Sequence, residues 1–321
     1  MKSKIVLISP AAVEANNGNW HTAYRWAKFL SDYCDIAITQ NWDISDIDSA
    51  AMIALHARRS APSIHAWAAQ RPGRPLVLVL TGTDLYRDIQ SDAIAKQSLH
   101  LATHLVVLQE AGLAALPADL RGKTRVIYQS APRLKPVSRS SKFFTAVMVG
   151  HLRDEKDPLT FMKAARLSAL KSIRFAQIGK GLDALLASAA RQATVEQPNY
   201  QWLGGLPRAQ TRQLIKRAHV LVNSSIMEGG AHVILEAVQS GTPVLASRIS
   251  GNVGMLGADY FGYFEVGDAP GLAALVHRCA TEPAFLALLQ SQCARRAELF
   301  EPSVEKSLVL NLISSALKEI P

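Results

Sequence analysis

The chain has 321 residues, 49% hydrophobic and 19% charged, with a net charge of +9. That length and balance suit two ordinary domains and argue against disorder. No apolar run approaches the roughly 18 residues that span a bilayer, and no basic block interleaved with aromatics marks a nucleic-acid surface. The charge excess points to small anionic ligands ahead of an anionic membrane surface, and part of it is solvated surface.

The first eight residues hold too short an apolar segment for a signal peptide and read as a strand. Cys34, Cys279 and Cys293 lack metal-ligand spacing and suit a reducing cytoplasm. Apolar runs at 5–8, 36–39, 52–55, 76–80, 105–108 and 125–128 alternate with helical patterns, which predicts a parallel sheet covered on both faces. The Pro-, Ser- and basic-rich stretch 131–141 reads as a linker. A second alternating set follows at 144–149, 175–178, 200–203, 220–222, 244–246 and 263–265. Between its strands, Leu182, Leu185, Leu186 and Ala189 are spaced as a helical face. A last helical region, 284–320, carries Pro302, which should break or kink it.

The expected fold class is α/β, with two doubly wound domains and a cleft between them that takes ligands at the carboxyl ends of the strands. The boundaries read as 1–135, 136–300, and a terminal helix at 301–321 packing back toward the first domain. A redox Rossmann enzyme loses ground because the segment after the first strand, Ser9 to Asn19, lacks the glycine fingerprint. Gly179-Lys180-Gly181 is only a fragment of one, and no Walker loop occurs.

The most informative stretch is 223–247. A strand ends in a polar loop, and Glu228 and Glu236 bracket the Gly229-Gly230 step. The following helix closes on Gly241-Thr242-Pro243. Unpaired amides in a helix's first turn attract an anion, and glycines let the backbone approach a diphosphate. Acids would repel that phosphate, so Glu236, about one turn into the helix, is placed to accept from a hydroxyl pair. The combination describes a nucleotide-sugar site.

These residues resemble the GT-B glycosyltransferases, in particular the family 4, sucrose-synthase and glycogen-synthase-like group. Glu228…Glu236 and Val149-Gly150-His151-Leu152-Arg153-Asp154-Glu155-Lys156-Asp157 carry the likeness. Three segments narrow it: Asn17-Gly18-Asn19, Leu55-His56-Ala57-Arg58-Arg59-Ser60 and Leu80-Thr81-Gly82-Thr83-Asp84-Leu85-Tyr86-Arg87-Asp88. They are similar to the selenosugar synthases of selenoneine biosynthesis.

The resemblance implies two Rossmann-like domains facing a cleft. It also implies transfer from UDP-N-acetylglucosamine or UDP-glucose to selenophosphate, giving a 1-selenosugar, UDP and phosphate. Donor binding would fall to Gly150, His151, Arg153, Lys156, Glu228, Gly229, Gly230, Ala231 and Glu236, with Glu236 on the ribose and Lys156 on the diphosphate. His151 stands where the wider family usually has Arg, and its charge depends on pH.

Acceptor binding would involve Gly18, Asn19, His56, Arg58, Arg59, Thr81, Gly82 and Thr83, the last three adding hydroxyls and a backbone nest. The catalytic set would be His56, Arg58, Arg59, Lys156 and Glu228. Selenophosphate is its own anionic nucleophile, so the site needs cations and in-line placement more than a strong base. No metal and no cofactor are expected. Asp84 reads as ligand-orienting or, more commonly, helix-capping. Trp26 reads as core, Trp20 as cleft wall, and His232 as a partner of Glu236. Two other readings stand beside this one: an ordinary GT-B transferase acting on a hydroxyl acceptor, and a nucleotide-sugar epimerase or non-catalytic binder.

Overall fold

The computed structural model describes residues 2–11 and 18–318, so Asn17 and the end of the 284–320 region lie outside the described residues. The chain forms two compact units. One comprises Met1–Gln129, Glu228–Gly230 and Pro302–Pro321; the other comprises Ser130–Met227 and Ala231–Glu301.

In the first unit the elements run β1 (Ser3–Ile8), α1 (Gly18–Leu30), β2 (Cys34–Thr39), β3 (Ala51–Leu55), α2 (Ala61–Gln70) and β4 (Leu76–Leu80). They continue with α3 (Ile89–Ser91), α4 (Ala93–Leu101), β5 (His104–Val107) and β6 (Thr124–Val126). The sheet is parallel, in the order β2-β1-β3-β4-β5-β6.

Successive side chains on a strand point to opposite faces, and both faces here are buried. Ile5, Leu7, Ile53, Leu55, Val77 and Val79 pack with Trp26 and Leu30 of α1. Val6, Ile8, Met52, Ala54, Leu76, Leu78 and Leu80 pack with Trp67 and Leu99. That two-sided burial explains why β3 and β4 are apolar throughout.

The second unit holds β7 (Phe144–Val149), α5 (Pro158–Leu167), β8 (Ile173–Ile178), α6 (Ala184–Glu196), β9 (Tyr200–Trp202), α7 (Arg208–Arg217) and β10 (Val220–Asn223). It continues through α8 (His232–Val238), β11 (Val244–Ser247), α9 (Ser250–Leu256), β12 (Tyr263–Phe264), α10 (Ala269–Thr281) and α11 (Pro283–Arg296). Its sheet is also parallel, ordered β12-β11-β10-β7-β8-β9. The α/β class with two parallel six-stranded sheets is as the alternation of apolar runs predicts. The segment 131–141 has no regular secondary structure.

One local expectation is corrected. On α6 the buried residues are Leu186, Ala187, Ala190 and Ala193, while Leu182 is 61% and Leu185 82% exposed. Asp183 caps the helix by accepting from Leu186 N–H, so the helix starts after Leu182 and its inner face lies on the alanines. The terminal helical region is broken at Pro302, as expected: α11 ends at Arg296, and Pro302 opens α12 (Pro302–Lys318). Proline is at home in a first turn because the N–H it lacks has no intrahelical partner there. Within the first unit α12 lies against α1. Arg25 donates Nε to Oε2 and Nη2 to Oε1 of Glu305, at 2.7 and 2.9 Å, and Trp26 Nε1 donates to Oε1 at 2.8 Å. Among the described residues no single helix is long and apolar enough to cross a membrane.

Candidate functional site

In an open parallel sheet the loops diverge where strand order reverses, leaving a crevice at the carboxyl ends. In the second unit this happens between β7 and β10. Ile226 N–H donates to Glu155 O at 3.0 Å, and the Ser224 hydroxyl lies 3.0 and 2.8 Å from the carbonyls of Lys156 and Asp157. These bonds tie the loop after β7 to the loop after β10.

The Lys156 stem packs across Gly150. Asp157, in the left-handed region at φ 42°, caps α5 by accepting from Thr160 N–H at 3.2 Å. From the neighbouring strand, Gly179 brings Lys180 close: its φ is 153°, and a Cβ there would run into Gly150 O. Lys180 N–H donates to His151 Nδ1 at 3.1 Å, which leaves the ring proton on Nε2. Burial lowers the His151 pKa, and the charges of Arg153, Lys180 and Lys156 lower it further. His151 is therefore a neutral donor among three cations, a setting suited to an anion.

Glu236 lies on the helix after β10 and is 4% exposed. Arg208 donates Nε to its Oε1 at 3.1 Å, His232 Nδ1 is 3.3 Å from that oxygen, and Arg212 Nε is 3.9 Å away. Burial opposes ionisation, yet His232, Arg208 and Arg212 bring the pKa down to about 2.

In the first unit, strand order reverses between β1 and β3. The loop after β3 carries His56, which is 1% exposed and holds φ 74°, and the exposed Arg58 and Arg59. Arg59 N–H donates to His56 Nδ1 at 3.3 Å, so the other nitrogen carries the proton toward Thr83 Oγ1, 3.1 Å away. Burial and the two arginines lower the His56 pKa against the opposing pull of Asp84 and Asp88. Residues Asp84–Asp88 form a π-helical turn, a local distortion common at functional sites. Asp88 Oδ2 accepts from Arg58 Nε at 2.9 Å and lies 3.8 Å from His56 Nε2. Burial would raise the Asp88 pKa, but hydrogen bonds from Arg58 and Arg87 hold it low.

Two expectations are corrected here. The amides of Thr81 and Gly82 form no open nest, because both donate to Asp84 Oδ1 at 2.9 Å. Asp84 does not cap the following helix: its Oδ2 accepts from Ala57 N–H, so the carboxylate joins the loops after β3 and β4. Gly18 and Asn19 sit in the first turn of α1. Gly229 and Gly230, grouped with the first unit, have a packing reason to lack side chains: Cβ atoms would strike the Thr81–Gly82 backbone and the Leu108 side chain. Glu228 is half-buried and Ala231 buried. Trp26 is core, while Trp20 stacks on Tyr24 with ring centres 6.2 Å apart.

The sequence reading missed Lys180, Arg208 and Arg212. Lys180 had a signal, a Gly-Lys-Gly loop directly after a strand of the same sheet. Arg208 and Arg212 had none, because their polar helix reads as a solvated face. Among the described residues no group of three or more His, Cys, Asp or Glu is arranged to hold a metal ion.

Residues 132–293 match the family model described as glycosyl transferases group 1. A Xenopus tropicalis protein, glycosyltransferase 1 domain-containing protein 1, is 26% identical over 218 residues, a match covering 66% of this chain and 62% of that relative. The Anabaena protein HepE, solved with UDP and glucose, superposes with a TM-score of 0.82 at 16% identity, covering 98% of this chain and all of that one. Sucrose-phosphate synthase from Thermosynechococcus elongatus gives 0.79 at 14% identity, covering 99% and 100%. These structures share the fold, and HepE has also been solved with UDP-glucose.

Proposed function

The chain belongs to the group 1 glycosyl transferases, and from that premise we propose that it transfers the sugar of UDP-N-acetylglucosamine or UDP-glucose to selenophosphate. The selenium lone pair forms a bond to the anomeric carbon as the bond to the diphosphate oxygen breaks, and UDP leaves with that electron pair. Water then splits the selenium–phosphorus bond, giving a 1-selenosugar and inorganic phosphate.

The observation that carries the donor half is the neutral His151 set among Arg153, Lys156 and Lys180 where the second sheet reverses its strand order. Negative charge grows on the departing diphosphate, and fixed cations and donors stabilise it without reorganising. Lys156 has the central part in this, its stem lying across Gly150. Glu236, ionised at any ordinary pH, accepts from the ribose hydroxyls. Glu228 and the Gly229–Ala231 backbone attend the donor sugar. That HepE was solved with UDP-glucose supports this reading of the donor.

Arg58 and Arg59, exposed on the loop that carries His56, support an anionic acceptor. Reaction without a metal is part of the same proposal. A hydroxyl acceptor is the second reading, favoured by His56 lying within 4.0 Å of both Asp84 and Asp88, as a general base would. Selenophosphate ranks first because both His56 nitrogens are already engaged, by Arg59 N–H and Thr83.

Incubation with selenophosphate and a panel of UDP-sugars tests the proposal. The expected result is UDP release together with a sugar-sized product bearing the selenium isotope pattern. UDP release that ignores selenophosphate but follows an added alcohol would replace it with the second reading.

A further inference from the structure

Glu236 is met by three basic side chains, and all of them approach one oxygen. Oε1 accepts from Arg208 Nε at 3.1 Å and is also 3.1 Å from Arg208 Nη2. His232 Nδ1 lies 3.3 Å and Arg212 Nε 3.9 Å from the same atom. Among the described residues no hydrogen bond to Oε2 is present. An arginine normally grips a carboxylate as a fork, one N–H to each oxygen. Arg25 does so with Glu305, giving Nε to Oε2 and Nη2 to Oε1. Arg208 places both nitrogens on Oε1 and leaves the second oxygen unused.

We propose that Arg208 and His232 are positioning residues that occupy Oε1 of Glu236 and so reserve Oε2 as the acceptor for a vicinal diol on the nucleotide. The inference rests on the UDP-sugar reading above and adds to it the side chains that orient the acceptor. A buried carboxylate without such partners takes up a proton and then offers a donor where an acceptor is needed. Here burial is outweighed by His232 first, then Arg208 and Arg212. Arg212 is tethered elsewhere, since its Nη2 donates to Pro132 O at 2.6 Å. Arg208 has 42% of its side chain exposed at the start of α7, so it is removable without opening the core.

Two parts of a UDP-sugar carry a vicinal diol, the ribose and the transferred sugar. The α8 carboxylate is assigned to the ribose, and a comparison of UDP with 2′-deoxy-UDP separates the sources because neither contains the transferred sugar.

The test is titration calorimetry of the full chain with these two nucleotides, using the unaltered protein and Arg208→Ala, Arg208→Lys and His232→Ala. Arg208→Ala should weaken UDP about tenfold, the usual scale for a charged hydrogen-bond partner, and leave 2′-deoxy-UDP almost unchanged. Its UDP affinity should fall further toward about pH 5, where the raised Glu236 pKa now titrates, while that of the unaltered protein should not. Arg208→Lys should recover part of the loss. Where Arg208→Ala does not fold, by thermal melt, the His232→Ala comparison decides on the same two nucleotides.

Equal losses for UDP and 2′-deoxy-UDP would overturn the inference, because a merely structural role moves both alike. Unchanged UDP binding in Arg208→Ala and His232→Ala would also overturn it. Failure of the unaltered protein to bind UDP at all would remove the donor reading and this inference with it.

Discussion

Asp84 in the first unit and Glu236 in the second are both buried acids beside strand ends, and they are satisfied in different ways. In the first unit Asp84 accepts from the main-chain amides of Ala57, Thr81 and Gly82. Both of its oxygens are used in joining two loops. In the second unit Glu236 has basic side chains for partners, all on one oxygen. A carboxylate bonded to its own backbone is spent on architecture. One held by side chains on a single oxygen keeps an acceptor for a visitor. The contrast separates a residue that shapes a loop from a residue proposed to read a ligand, although both are acids close to glycines in the sequence.

The largest effect should come from breaking the architectural acid. Asp84→Ala orphans three backbone donors, and urea denaturation should record a loss of about 3 kcal/mol or more. A loss under about 1 kcal/mol would mean that the loops do not depend on it. Lys156→Ala should follow, with turnover down about a hundredfold and UDP affinity reduced much less, because its charge matters most as the diphosphate departs. Equal losses in binding and turnover would count against that role.

Glu236→Ala should weaken UDP about tenfold by calorimetry. Arg58→Ala and Arg59→Ala should leave UDP affinity in place and raise the KM for selenophosphate. If all three lose UDP alike, the division of labour between the units fails.

A smaller effect concerns His56. Its folded-state pKa is depressed by burial first and by the arginines next. The folded chain therefore binds fewer protons than the unfolded one just below about pH 6.5, and stability present above that value is lost as the pH falls through the depressed folded pKa. His56→Asn, which tolerates the positive φ, should flatten that part of the acid limb in melts taken between about pH 7 and pH 5. An identical limb would dismiss the histidine as its source. The smallest expected effect is none: a chelator should leave turnover unchanged when selenophosphate is supplied ready-made, and a strict metal requirement would overturn the metal-free proposal.

The alternation of apolar runs made the α/β class legible, because two-sided burial writes each central strand as an uninterrupted apolar stretch. Strand order was not legible, since it depends on which way each crossover turns. Glu236 stood out as a candidate through its spacing from Glu228 and the glycines. Its partners did not: Arg208 lies 28 positions away on a helix whose sequence looks like open surface. Asp84 misled because an acid shortly after a strand usually caps a helix, and its actual partners include a loop 27 residues earlier. Leu185 misled because helical spacing fixes a face without fixing which way it turns, and here the small alanines face inward.

The first unit also takes in residues 302–321, which follow the second unit in the chain. Arg25 and Trp26 meet their partner Glu305 only after that segment exists. On a ribosome, the central block has all its strands in hand while the amino-terminal sheet still awaits α12. We expect nascent chains stalled before Pro302 to protect the central block from protease while leaving the region around α1 open to cleavage.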